Sequence, residues 1–249
     1  MRVILYMNIS AIYNQTYSYL NLKPQSIEES KMISRLHRDT KKGLVVKVRK
    51  GVYMPEEVDN KFVVGCNAVE DGVLSYHSAL EYHLLQTQEF NTLYIHSPKK
   101  FRDFVYLGER YKHKPLKFLI NPIEQEFFPG YKVRVTNPSQ TLIDCLYNIN
   151  LAGGIEELIY AIMECPAEII SESQLVECLK AYGNKSLWQR TGYIFELLKN
   201  PQNLSPEFFS QCKKYSGETM SYLIQPYHCN LYNKEWNIYV PENIIDSIK

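Results

Sequence analysis

The stretch from Lys31 to Pro55, KMISRLHRDTKKGLVVKVRKGVYMP, constrains this chain more than any other. It carries Lys31, Arg35, Arg38, Lys41, Lys42, Lys47, Arg49 and Lys50, with Asp39 as its one carboxylate. At about 100° per residue, Lys31, Arg35, Arg38 and Lys42 fall on one helix face, and Met32, Ile33 and Leu36 on the opposite one. Gly43 then breaks the pattern ahead of the β-rich run Leu44 to Val48, and Arg49-Lys50-Gly51 supplies a turn. A basic helix followed by a basic hairpin is the order in which a winged helix-turn-helix meets DNA phosphates. The eight basic side chains are therefore the expected double-stranded-DNA contacts, since each cation can neutralise one phosphate.

Charge is unevenly distributed along the 249 residues, a length that suggests two domains. Residues 1–60 carry a net +4 and the remainder −3, although the whole chain is only +1. Such asymmetry suggests a nucleic-acid-binding end joined to something else. The expected division is a winged helix-turn-helix over 1–60 and a second domain over 61–249, with the acidic run Glu56 to Asn60 at the boundary. With its own apolar helices and strands, the second domain is expected to fold without the first.

Local signals place further elements. Ser26 with Glu29 fits a capping box that opens the basic helix, and Thr16 to Leu22 could form a short helix before it. Ser75 to Gln86 reads as a helix, with Leu80, Leu84 and Leu85 spaced for one face. Thr92 to His96 and Tyr131 to Thr136 read as strands. Ser97-Pro98 and Asn137-Pro138 each offer a cap and a first-turn proline. Gly153-Gly154 precedes an apolar helix from Ile155 to Cys165. Ser171 to Tyr182 is capped by Ser171 and stopped by Gly183. Helices are also expected over 184–199 and from Ser205-Pro206, and a final hairpin around Asn233-Lys234. This mixed order without regular βαβ alternation predicts an α+β fold.

Chemistry is sparsely signalled. Cys66, Cys145, Cys165, Cys178, Cys212 and Cys229 form no CxxC pair, so reduced, buried thiols are expected. His77 and His83 lie about 120° apart on a helix and cannot share an ion from it. Phosphate-cradling, dinucleotide, zinc-protease and serine-nucleophile motifs are absent from the sequence. Asp144 with Glu156 or Glu157 is the one carboxylate grouping to consider, and surface or capping roles are commoner for such residues. The sequence predicts neither an enzyme nor a cofactor or metal site. With no secretory signal and no apolar run of about 20 residues, a cytoplasmic protein away from membranes is expected.

Several blocks resemble the AbiEi antitoxins. VRKGVYMP is similar to that family's wing, which usually ends in an Arg-Gly-[Val/Ile]-Tyr run. LSYHSALEYHLL (74–85), VTNPSQTLIDCL (135–146), Gly153-Gly154-Ile155 and LWQRTGYIFELL (187–198) resemble later family segments, and Trp236 stands where a late Trp is common. The resemblance implies the antitoxin of a type IV toxin–antitoxin system, a phage-defence protein whose winged helix represses its own operon. The second domain would counter a nucleotidyltransferase-like toxin. A transcriptional regulator with a ligand-sensing or dimerising second domain and no toxin partner is the alternative.

Overall fold

A computed structural model describes residues 27–218, 220–242 and 244. The expected Ser26 cap and the 16–22 helix lie outside the described residues. The fold is α+β, and the chain divides into two compact units. One unit runs up to Leu74 and also takes in 91–115 and 123–135; the other comprises 75–90, 116–122 and the remainder. The boundary expected at residue 60 thus falls inside the first unit.

The first unit opens with α1 (Ile27–Lys41), then the antiparallel hairpin of β1 (Val45–Arg49) and β2 (Val52–Pro55). Next come α2 (Lys61–Asn67), β3 (Val73–Leu74), β4 (Thr92–His96), β5 (Phe104–Tyr106), β6 (Glu109–His113), β7 (Ile123–Phe128) and β8 (Tyr131–Val135). Strands β3 to β8 form one mixed sheet in the order β5-β6-β4-β3-β8-β7, with β4/β6 and β3/β8 parallel. Alternation decides which face is covered: Leu93 and Ile95 of β4 and Tyr131, Val133 and Val135 of β8 are buried. Helix α2 lies on that face. Its Gly65 is so near the sheet that a Cβ would stand 2.9 Å from Ile95 Cδ1. Asn60 caps α2, its side chain accepting from the Phe62 and Val63 amides at 3.0 and 3.2 Å.

On the open face Glu124 accepts from Arg134 Nε at 2.7 Å, and Arg134 also reaches Asp71 at 2.8 Å. Edge strand β7 is exposed along its whole length and carries Glu124 and Glu126, charges that discourage further strand pairing. Strand β4 spans the residues expected, and β8 ends one residue short. Ser97-Pro98, however, starts no helix. The Ser97 hydroxyl donates its one proton to the Glu70 carbonyl at 2.6 Å, with the Lys99 carbonyl 3.0 Å away as the alternative acceptor, so it serves loop carbonyls rather than a helix amide.

The second unit contains α3 (His77–Tyr82), α4 (Pro138–Tyr147), a 3₁₀ turn (Ile149–Ala152), α5 (Ile155–Glu164), α6 (Glu172–Tyr182), α7 (Lys185–Leu197) and α8 (Pro206–Ser216). Strands β9 (Ser221–Tyr222), β10 (Leu231–Asn233) and β11 (Ile238–Val240) form a small sheet in the order β10-β11-β9. Side-chain oxygens of Asn137, Ser171, Asn184 and Ser205 each accept an amide of the following turn, which fixes where α4, α6, α7 and α8 begin. Helix α3 is shorter than the expected 75–86. His83 Nε2 donates to the Thr136 carbonyl at 2.8 Å, and Leu84 turns to φ +60 and is 81% exposed. Leu80 and Leu85 are buried, and Leu84 is not the core residue its spacing implied. Helix α7 packs closely on Trp236, whose indole sits where a Gly192 Cβ would project, 2.1 Å away, and donates from Nε1 to Glu196 Oε2 at 2.5 Å.

Candidate nucleic-acid interface

On helix α1 Leu36 of the expected packing face is buried and Ile33 half-buried, while the Met32 side chain lies outside the described residues. Lys31, Arg35 and Arg38 are exposed, as are Lys41 and Lys42 at its C-terminal end. Leu36 is 2% exposed and forms a small core with Val45 of β1, against which Tyr53 packs. Arg38 and Lys41 sit in the last turn, where cations complement the helix dipole. Arg35 Nε lies 3.6 Å from Asp39 Oδ2, a surface pair of the i, i+4 kind that contributes a few tenths of a kcal/mol.

The turn from helix to hairpin is tightly specified. Gly43 adopts φ +70, and its amide donates to the Thr40 carbonyl at 3.1 Å while the Leu44 amide donates to Asp39 at 3.0 Å. This pair of bonds is a Schellman ending, which needs a left-handed residue at the glycine position. It delivers the chain directly into β1, so the angle between helix and hairpin is set by backbone hydrogen bonds as well as by the Leu36–Val45 contact.

Within the hairpin, the pairing register shifts between Lys47 and Arg49. Such a bulge breaks strict alternation. Val45 and Val48 are both buried and Lys47 is exposed, as is Lys50 at the tip beside Gly51, which has φ +79. Seven of the eight expected DNA-contacting side chains are thus exposed along one continuous segment. Arg49 is the exception. It is half-buried, its Nε donates to the Ala68 carbonyl at 2.6 Å, and its guanidinium lies 5.9 and 5.7 Å from the rings of Phe101 and Phe104. These contacts hold the hairpin to the larger sheet. Arg49 is therefore placed as an anchor of the hairpin, and the residues that hold it lie up to 55 positions away, where no local pattern signals them.

The remaining candidates are buried inside the second unit. Glu157 accepts from the Thr87 amide at 2.7 Å and from the Thr87 hydroxyl, and His77 Nε2 lies 3.6 Å from it. Burial lowers the His77 pKa below its ordinary value against the pull of Glu157, and Phe90 meets its ring edge-on at 4.2 Å. The pair is a buried histidine beside the hydrogen-bonded Glu157 side chain. His83 is likewise pushed down by burial. Asp144 is fully buried and burial raises its pKa to about 7, although the Tyr182 hydroxyl, donating to Oδ1 at 2.5 Å, pulls it back. Tyr147 stacks on Tyr182 at 4.3 Å and Glu156 is exposed on α5. Asp144 and Glu157 are enclosed groups. All six cysteines are buried and unpaired, and burial pushes the Cys66 thiol up to about 12.

Among the described residues no three His, Cys, Asp or Glu side chains converge as a metal site, and no helix is long and apolar enough to cross a membrane. No family model and no curated protein matches the chain. Among solved structures, the RV2827C protein of Mycobacterium tuberculosis superposes with a TM-score of 0.57 over 87% of this chain and 81% of that one, at 12% identity. The chain therefore shares a fold with that protein.

Proposed function

We propose that the chain is a cytoplasmic double-stranded-DNA-binding autorepressor that also acts as the antitoxin of a type IV toxin–antitoxin system. One observation carries the DNA-binding reading: Lys31, Arg35, Arg38, Lys41, Lys42, Lys47 and Lys50 are exposed on a helix and hairpin joined by a fixed turn. A rigid row of cations neutralises phosphates without ordering a loop first, and phosphate contacts supply much of any protein's affinity for DNA. The antitoxin reading rests on the blocks 74–85, 135–146 and 187–198, which resemble the AbiEi antitoxins. The net −3 of residues 61–249 supports it, since an acidic surface can oppose a basic partner such as a nucleotidyltransferase-like toxin. The chain performs no chemistry of its own in this reading. An anisotropy titration of the chain against its own promoter duplex at several salt concentrations tests the first part. Survival of cells that co-express the adjacent gene tests the second: absence of rescue by soluble, abundant full-length protein refutes the antitoxin role and leaves DNA binding standing.

A further inference from the structure

The second unit contains a crevice of about 170 Å³ between the end of α4, helix α7 and the segment after β9. Arg190 of α7 forms part of its wall together with the apolar Ile149, Leu223 and Ile224, and Tyr147, Asn148, Asn150 and Gln225 are its other lining residues. Arg190 is half-buried, and its Nε donates to the Tyr222 carbonyl at 2.9 Å, which fixes the plane of the guanidinium. The ion pairs formed among the described residues do not include Arg190. No side chain lining the crevice is acidic.

A guanidinium withdrawn from bulk water without a carboxylate is costly, and an anion is the chemistry that offsets it. Burial lowers the Arg190 pKa from its ordinary value, against a smaller opposing pull from Cys229. Around it stand three side-chain amides and a phenol, all able to donate hydrogen bonds. A planar carboxylate has two oxygens to meet them, whereas a tetrahedral phosphate has up to four and suits the fork of Arg.

We propose that this crevice is a binding site for a small phosphate-class anion, inorganic phosphate or a phosphomonoester, with Arg190 as its charge partner and Asn148, Asn150 and Gln225 as supporting donors. The site shares no residue with α1 or the hairpin, and the assignment does not rest on the DNA-binding reading.

The test is phosphorus NMR line width and thermal stability of the full chain titrated with inorganic phosphate at constant ionic strength. Saturable broadening and a saturable rise in Tm are expected. Asn150→Asp and Gln225→Glu place carboxylates at exposed positions, so these variants are expected to keep the fold, which their circular dichroism checks. Each should weaken phosphate at least ten-fold, and Arg190→Gln should abolish saturation. Arg35→Ala with Arg38→Ala should leave phosphate binding unchanged. Non-saturating behaviour, full binding in both acidic variants, or loss of binding in the Arg35/Arg38 variant instead would overturn the site. Competition by acetate as effective as that by phosphate would overturn the ligand class.

Discussion

Replacing Arg35 and Arg38 together by alanine should change how DNA binding responds to salt, by an amount the exposure pattern fixes. Seven cations on α1 and the hairpin are exposed: Lys31, Arg35, Arg38, Lys41, Lys42, Lys47 and Lys50. If each meets a phosphate, log affinity against log salt falls with a slope of about −6, at roughly 0.9 per contact. Between about 50 and 200 mM salt that slope costs roughly 6,000-fold in affinity, and without the two arginines roughly 500-fold, a slope of about −4.5. Arg49→Ala is the internal control. Because its guanidinium is held by the Ala68 carbonyl and faces Phe101 and Phe104, its loss should leave the slope alone. It should instead lower stability by about 2 kcal/mol, the scale of a charge-assisted hydrogen bond lost at a half-buried position. Fluorescence anisotropy on a labelled promoter duplex reads the slopes, and urea unfolding reads the stability. An unchanged slope in the double variant would refute the assignment of α1. A slope flattened by Arg49→Ala would refute the division of roles within the hairpin.

Gly43→Ala meets nothing within 4 Å but keeps a φ of +70, so it should cost about 1 kcal/mol through backbone strain alone, measurable by urea unfolding. Gly192→Ala should cost about 3 kcal/mol or more, because its methyl would stand 2.1 Å from the Trp236 ring, and calorimetry should show the lower Tm. Asp144 should make stability fall as pH rises. The folded chain keeps the carboxyl protonated up to about 7, against an ordinary value of 3.8, so it binds more protons than the unfolded chain in between. Stability should decline from about pH 4 to pH 7 by a few kcal/mol, and Asp144→Asn should flatten that decline; a parallel pH profile in the variant would contradict the assignment.

Elements closed by local chemistry were legible in the sequence. Asn137, Ser171, Asn184 and Ser205 cap their helices through their own side chains, and each cap sits within three residues of the amide it serves. Strand β8 was visible because its Tyr-Lys-Val-Arg-Val alternation matches one covered and one open face. Strands β5, β6 and β7 were not visible, for the converse reason. Their sequences FVY, ERYKH and IEQEFF bury only Tyr111, so no apolar period marks them. Their strand state comes from pairing with β4 and β8, which only the fold supplies. Ser97-Pro98 failed in the same way: a hydroxyl able to cap a helix is equally able to donate to the distant Glu70 carbonyl, and tertiary position decides between them.

The candidate interface divides along the same line. Exposure of Lys31, Arg35 and Arg38 follows from helical spacing against Leu36, and the period of the helix suffices to predict it. A hairpin is less forgiving, since one extra residue moves side chains to the other face. In β1 the bulge between Lys47 and Arg49 does this, leaving Lys47 outward and turning Arg49 toward Phe101 and Phe104. Charge count alone treats the two residues as equivalent; register separates them. The buried groups carry the argument further. Glu157 lies 80 positions from His77, and Asp144 lies 38 from Tyr182, so the burial and contacts that shift the His77 and Asp144 pKa values belong to the assembled unit. Asp144, which sequence offers only as one carboxylate among many, is enclosed in the assembled unit, and its burial gives it a measurable signature in the pH dependence of stability.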